Sequence, residues 1–191
     1  MVGPLTTAQQ IAELGQLVNR LQTADRACRV FGSDRHRYLF GPALPPARVE
    51  AFESAHRVKL PPDYRCFLTT VGNGGAGPYY GLEPLGAFGR DLSRPFPFTQ
   101  ATEPLSELGQ KIRCDEFPGI LEFCHQGCAN YSYLVVAGAA YGTIWNGRPE
   151  DDDFRPTGLS FATWYRQWAK RALRLLENEQ LVPLLRVGMT C

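Results

Sequence analysis

Apolar residues recur at intervals of three and four positions in four stretches of the chain, as they do on one face of an α-helix. These sets are Ile11, Leu14, Val18 and Leu21; Val49, Phe52 and Ala55; Tyr64, Phe67, Leu68 and Val71; and Phe161, Trp164, Tyr165, Trp168, Ala172 and Leu175 or Leu176. Thr7 with Gln10 resembles a capping box for the first helix, and Ser160 is suited to cap the last. The pattern therefore predicts three helices before residue 72 and one near the end of the chain.

Three runs rich in β-branched and aromatic residues lie between the third and fourth helices: GILEFC (119–124), YSYLVVAG (131–138) and YGTIWNG (141–147). The short connection between the last two predicts a hairpin. Residues 72–118 are rich in glycine, proline and aromatic residues, which indicates long irregular connections. Helices followed by strands and a final helix predict an α+β domain.

Gly72, Gly74 and Gly77 have the G-x-G-x-x-G spacing of a dinucleotide-binding turn, and Asp91 stands where a ribose-binding acid is expected. That motif requires a strand before the glycines and a helix after them. Here a predicted helix precedes the glycines, and no helical period follows them. We therefore interpret them as turn residues, with Gly72 as the left-handed residue that ends the third helix, and we expect no nucleotide cofactor.

The composition changes this picture little, because 44% hydrophobic and 20% charged residues are typical of a globular protein. At 191 residues the chain is long enough for one domain with a substantial core. A formal net charge of +1 gives it no overall field that would attract nucleic acid or a membrane surface, so we expect neither as a partner. The N-terminal stretch lacks the features of a signal peptide, so we expect a cytoplasmic protein with six free cysteines.

Three segments, in this order, resemble the SUKH superfamily of Smi/Knr-type proteins. They are ALPPARVEAFESAHRVKLPPDYRCFLTTVGNGG (43–75), GILEFCHQGCANYSYLVVAGAAYGTIWNG (119–147) and LSFATWYRQWAKRAL (159–173). The ordered set carries the resemblance, since no single motif in it is specific. The resemblance spans residues 42–175 and leaves both ends of the chain outside it.

This resemblance implies an α+β fold in which a central, mostly antiparallel twisted sheet is flanked by N-terminal and C-terminal helices. We expect one SUKH-like domain at residues 42–176, a helical extension at 1–41 that packs on it, and a tail at 177–191. The resemblance also implies a non-catalytic protein. Many bacterial members are immunity proteins that neutralise a toxin, whereas fungal relatives are regulatory scaffolds. We therefore expect an immunity protein that binds a cognate protein toxin, as a monomer or weak homo-oligomer, with a regulatory or scaffold module as the alternative.

The sequence CHQGC places Cys124, His125 and Cys128 close together, with Cys114 upstream. A metal- or thiol-dependent hydrolase built on this cluster is a further, weaker alternative. A structural zinc site usually takes two paired knuckles, and the chain offers no second one. Small cysteines packed at a strand end are the interpretation we favour. Because the common nucleophile, phosphate-binding and zinc-protease motifs are also absent, we expect no catalytic residue, metal site or cofactor.

Two loops are predicted to bind the partner, because aromatic side chains anchor many interfaces and charges guide association. The residues are Tyr79, Tyr80 and Glu83 in the first loop, and Trp145, Asn146, Glu150, Asp151, Asp152 and Asp153 in the second. The acidic run favours a basic partner surface, and a solvated loop is the alternative. On the last helix, Trp164, Tyr165 and Trp168 are expected in the core, and the cations are expected on the solvent face: Arg166, Lys170, Arg171 and Arg174.

Overall fold

The structure, a computed structural model, describes residues 5–87, 91–99, 117–148 and 154–178. Within these ranges the helices are α1 (Thr7–Ala24), α2 (Ser33–His36), α3 (Pro46–His56), α4 (Pro62–Thr70) and α5 (Phe161–Glu177). The strands are β1 (Ile120–Gly127), β2 (Asn130–Val135), β3 (Thr143–Gly147) and β4 (Arg155–Ser160). The predicted α+β class is confirmed.

The ends of the two long helices are defined by polar side chains. At α1 the capping box uses Thr6 and Gln9, each donating its backbone N–H to the other's side chain, at 2.9 Å and 3.3 Å. The prediction of Thr7 and Gln10 was therefore wrong by one position, because Thr7 already has helical backbone geometry. At α5 the predicted cap is confirmed, since Ser160 Oγ accepts a hydrogen bond from the backbone N–H of Thr163.

The glycines after α4 form turns, as predicted, but Gly72 does not have the left-handed geometry expected of it. The residues with positive φ are Gly74 and Gly75, at +81° and +90°. Gly72 is instead required by a close approach, because a Cβ there would lie 2.7 Å from the carbonyl oxygen of Gly41 and from Phe40 Cβ. Within residues 72–87 no helix follows these turns, so no helix N-terminus faces them.

The four strands form one antiparallel sheet in the order β1-β2-β3-β4. β2 and β3 form the predicted hairpin, whereas β4 was missed. The sequence RPTGLS of β4 has few apolar residues and its side chains are largely exposed, as suits an edge strand, so it gives no clear alternating pattern. Ser160 ends β4 and caps α5, which places the last helix directly after the edge of the sheet.

The sheet separates two apolar clusters. One face packs against α5, and Phe123 of β1 on this face contacts Tyr64 of α4. Leu121, Leu134 and Ile144 belong to the larger core together with the apolar side chains of the helices. The other face carries Tyr133, Val135 and Trp145, which pack with Phe96, Phe117 and Phe154 from the connecting segments. The N-terminal and C-terminal helices therefore flank the sheet, as predicted, and the structure places them on one of its faces.

Helix α1 is part of the main core rather than an isolated arm. Its buried face, which includes Leu14 and Val18, packs against α5 and α4. Glu13 binds Arg166 and Lys170 of α5, with N–O distances of 3.0 Å and 3.2 Å. These contacts do not test the predicted domain boundaries at residues 41/42 and 176/177, which stay a prediction.

The cysteines do not all follow the expectation of free thiols. Cys28, Cys66 and Cys124 are free, but Cys128 is disulfide-bonded. Cys128 lies in the turn after β1 and is half-buried, whereas the free Cys124 is completely buried. Because disulfides are more typical of oxidising compartments than of the cytoplasm, the cellular location stays a prediction.

Candidate functional site

A groove of about 560 Å³ runs along α5 where this helix passes the helix-covered face of the sheet. Its volume is in the range of pockets that bind small ligands. Four parts of the chain contribute its walls: the stretch before α2, the turn at 78–79, the sheet and α5. The lining residues that matter most below are Phe31, Tyr79, Gln126, Asn146, Trp168 and Arg171.

Helix α5 supplies one long wall. Residues 164, 167, 168, 171, 172 and 175 line the groove, and their spacing places them on one face of the helix. Arg166 and Lys170 lie on another face, where both bind Glu13. Burial alone would raise the pKa of Glu13, but the hydrogen bonds and charges of these two cations outweigh it and lower the pKa. Arg171 is exposed and makes no ion pair within the described part of the chain.

The floor of the groove carries a hydrogen-bonded group on three strands. Gln126 donates its amide N–H to Ser132 Oγ at 2.8 Å and to Asn146 Oδ1 at 3.0 Å, and Ser132 Oγ donates to Asn146 Oδ1 at 2.7 Å. Ser132 is fully buried, and the other two are half-buried. The network fixes the orientation of both amides, so polar groups at the floor are positioned before any ligand arrives.

Tyr79 forms part of the wall that faces α5 and is held in a left-handed conformation with φ of +53°. Gly32 allows the turn at residues 78–79 to approach the backbone before α2, because a Cβ at position 32 would collide with the carbonyl oxygen of Tyr79. Burial raises the pKa of Tyr79, while the nearby charge of Arg171 opposes that rise. A strained residue held by its surroundings is typical of functional sites.

The rest of the loop that bears Tyr79 is attached to β1 by hydrogen bonds. Cys124 Sγ donates to the carbonyl oxygen of Pro78 at 3.3 Å. The backbone N–H groups of Tyr80 and Glu83 donate to the carbonyl oxygens of His125 and Phe123, at 3.2 Å and 2.8 Å. The loop is therefore a fixed part of the groove wall.

Tyr80 lies outside the groove lining but supports it from behind. Its ring centroid is 5.3 Å from that of Phe31 and 5.4 Å from that of His125. His125 in turn contacts Tyr131 of β2, at 4.8 Å between centroids. Arg35 places its guanidinium carbon 5.6 Å from the centre of the Tyr80 ring. This aromatic series connects the segment before α2 to the sheet.

The opposite wall, at Phe31, depends on a buried carboxylate. Asp25, only 1% exposed, accepts hydrogen bonds from the backbone N–H groups of Arg29 and Val30, at 2.7 Å and 2.9 Å. It also accepts one from the Tyr38 hydroxyl at 2.7 Å. Burial alone would raise the pKa of Asp25, but the two backbone bonds and the hydroxyl outweigh it and lower the pKa.

Among the described residues, only some of those predicted to bind a partner lie together at the groove. Tyr79 and Asn146 both line the groove, from different elements. Glu83 is half-buried and does not line it. Glu150, Asp151, Asp152 and Asp153 lie outside the described residues. Their roles stay a prediction.

Trp145 is the one predicted anchor that the structure places in a core. It is 2% exposed and packs with Phe96 and Phe154, at 5.0 Å and 5.2 Å between ring centroids. Neighbouring residues on a strand point to opposite faces, so Trp145 and Asn146 could not both face the groove. The ring of Trp145 is therefore not available as an exposed anchor.

The CHQGC cluster has no arrangement for chemistry in the described structure. Cys124 is completely buried, and burial, with the charge of Glu83, raises the pKa of its thiol. Cys128 is disulfide-bonded. Among the described residues no three His, Cys, Asp or Glu side chains form a potential metal site. No helix in the same part of the chain is long and apolar enough to span a membrane.

Four of the groove residues named above were not predicted as site residues: Phe31, Gln126, Trp168 and Arg171. Trp168 was assigned to the core and Arg171 to the solvent face, but each is at the edge between these environments. Phe31 was in no predicted element. The sequence did contain one signal for the groove. The apolar face of α5 is wider than the face that one packing partner covers, so part of it is left accessible.

Residues 43–167 match the model of the SMI1 / KNR4 family (SUKH-1). The matched region contains α3, α4, the sheet and the first part of α5, and it begins after α1 and α2. No curated protein and no solved structure matches the chain.

Proposed function

Because this chain belongs to the SMI1 / KNR4 family (SUKH-1), we propose that it is a non-catalytic binding protein that acts as an immunity protein against a cognate toxin. The family membership predicted by resemblance is confirmed. The family supports the proposal in general terms, and the fold alone does not identify a partner.

The observation that carries the proposal is the groove beside α5. Tyr79 and Trp168 offer aromatic surface, and Asn146 and Arg171 offer hydrogen-bonding groups at the same site. Hot spots of protein interfaces have this composition, with aromatic and arginine side chains at the centre. The walls are held by the buried Asp25 and by the Gly32–Tyr79 contact, so little order has to be gained on binding.

A hydrolase based on Cys124 is less well supported. Its thiol is sealed in the core and donates to the carbonyl oxygen of Pro78, so it has neither an accessible sulfur nor a lowered pKa. A regulatory or scaffold protein would bind its partner in the same groove. It would differ from an immunity protein only in the activity of that partner. The two binding functions must be separated by the partner's activity.

The test uses the protein encoded beside this chain's gene. That protein is expressed in cells with and without the chain, and its effect on growth is measured. An immunity protein restores growth and binds its neighbour directly. Binding to a neighbour that is not toxic would favour the regulatory alternative.

Replacing Tyr79 and Tyr80 by alanine is expected to weaken this binding by about 2 kcal/mol, or about 30-fold in Kd, mainly through faster dissociation. Tyr141→Ala is the matched control, because this tyrosine is 43% exposed and does not line the groove. Neutralising Asp151, Asp152 and Asp153 is expected instead to slow association and reduce its salt dependence. Equal protection by the double variant, with a wild-type melting temperature, would contradict the proposed surface.

A further inference from the structure

The groove has an unbalanced charge among its described lining residues. Arg171 is the one ionised side chain in that lining, and no aspartate or glutamate belongs to it. Aliphatic, aromatic and amide side chains and the hydroxyl group of Thr157 make up the rest. An arginine at the edge of an apolar groove interacts strongly with a carboxylate, because partial exclusion of water strengthens the attraction.

Arg171 differs from the neighbouring cations of α5 because its side chain makes no ion pair or hydrogen bond with another described residue. Arg166 and Lys170 share Glu13, and Arg174 donates its Nε–H to the backbone carbonyl oxygen of Lys170 at 3.3 Å. Arg171 has no such partner in the described structure, although its charge lies close enough to Tyr79 to affect the pKa of that phenol. Its guanidinium is therefore free to bind a group from outside.

The floor adds a hydrogen-bond donor. Asn146 Oδ1 accepts two of the three hydrogen bonds of the floor network, from Gln126 and Ser132. Its Nδ2 group has no hydrogen-bond partner among the described residues. A ligand oxygen at the floor would satisfy this N–H group, whereas a ligand cation would not.

From these observations we propose that the groove binds an acidic segment of the partner protein, with a carboxylate of that segment on Arg171 and an adjacent apolar or aromatic side chain between Tyr79 and Trp168. This inference rests on the proposed protein-binding function and specifies its partner. Charge complementarity decides the choice of occupant, because a basic segment would leave Arg171 opposed by a like charge.

The inference is tested by selecting random twelve-residue peptides, displayed on phage, against the full chain. The same library is selected against Arg171→Glu, against Arg174→Glu and against Tyr79→Ala. Arg174 is the matched control, since it is exposed on the same helix and does not line the groove. All variants must retain the melting temperature of the parent.

The expected result is enrichment of peptides in which Asp or Glu adjoins Trp, Phe or Leu. For a synthetic peptide of the enriched sequence, Arg171→Glu should raise Kd by at least about tenfold, as expected for loss of a hydrogen bond between charged groups. Arg174→Glu should change Kd by less than about twofold, because a solvated charge outside the groove contributes little. Tyr79→Ala should abolish the enrichment.

Other outcomes separate this inference from the proposed function. One such outcome is the enrichment of peptides that lack acidic residues or carry Lys and Arg, with an enrichment that disappears for Tyr79→Ala. This result would contradict the acidic segment but would still support the groove as a binding site. Enrichment of the same peptides by the parent and by Tyr79→Ala would show that the peptides do not bind in the groove. A consensus that reproduces part of residues 179–191 would identify the chain's own segment as the occupant. A dimer that Arg171→Glu dissociates in sedimentation would identify a second copy. Either of the last two overturns the inference.

Discussion

Asp25→Asn is expected to destabilise the protein strongly, although it changes a single atom type. The carboxylate accepts three short hydrogen bonds, from the backbone N–H groups of Arg29 and Val30 and from the Tyr38 hydroxyl. An asparagine presents an NH₂ group at one of the two oxygen positions, so at least one buried donor loses its acceptor and faces another donor. A lost hydrogen bond to a charged group costs about 1.5–3 kcal/mol, and a buried donor left unpaired adds about 1–3 kcal/mol. We therefore expect a loss of about 3 kcal/mol.

The measurement is equilibrium unfolding in urea, with Asp34→Asn as the matched control. Asp34 is exposed, so its variant is expected within about 0.5 kcal/mol of the parent. A cost for Asp25→Asn below about 1 kcal/mol, or equal to that of the control, would refute the account of this carboxylate as the anchor of the groove wall.

The pH dependence provides a second check. The pKa of Asp25 is lower in the folded than in the unfolded protein, because the backbone N–H groups of Val30 and Arg29 and the Tyr38 hydroxyl outweigh the effect of burial. The stabilisation is thus fully present above the unfolded pKa, about 3.9, and is lost as the pH falls through the lower folded value. The difference in stability between parent and variant should narrow over this acidic range. A difference that widens there would contradict the assignment.

Two further predictions concern the close contact at the groove and the cysteines. Gly32→Ala should cost more than Gly142→Ala, by about 1–3 kcal/mol in urea unfolding. Both glycines have positive φ, but a Cβ at position 142 meets nothing within 4 Å, whereas one at position 32 would collide with Tyr79; equal costs would show that the contact does not matter. In the native protein Cys124 should resist alkylation, since it is buried and its thiol pKa is raised, and a peptide map without reductant should place Cys128 in a disulfide. One equivalent of zinc, lost together with folding in Cys124→Ser, would instead revive the metal site.

The sequence by itself determined the local elements. The apolar positions of α1, such as Ile11 and Leu14, and of α5, such as Trp164 and Tyr165, are buried as their spacing predicts. These features depend on periodicity, capping and backbone preference, which act over a few residues. The ordered segments also indicated the family, which residues 43–167 confirm. The edge strand β4 was not predictable in this way, because its residues are hardly buried.

Only the tertiary structure decided which residues form the candidate site. Glu13 of α1 binds Arg166 and Lys170 of α5, at least 153 residues away in the sequence, and no local pattern indicates this pairing. Trp145 and Asn146 are adjacent in sequence, yet one lies in a core and the other at the floor of the groove. The residue type determines which interactions a side chain is able to make. Long-range packing determines the side of the sheet on which it lies and the neighbours that pair with it. For that reason the chemistry of the groove followed from the fold and not from any motif.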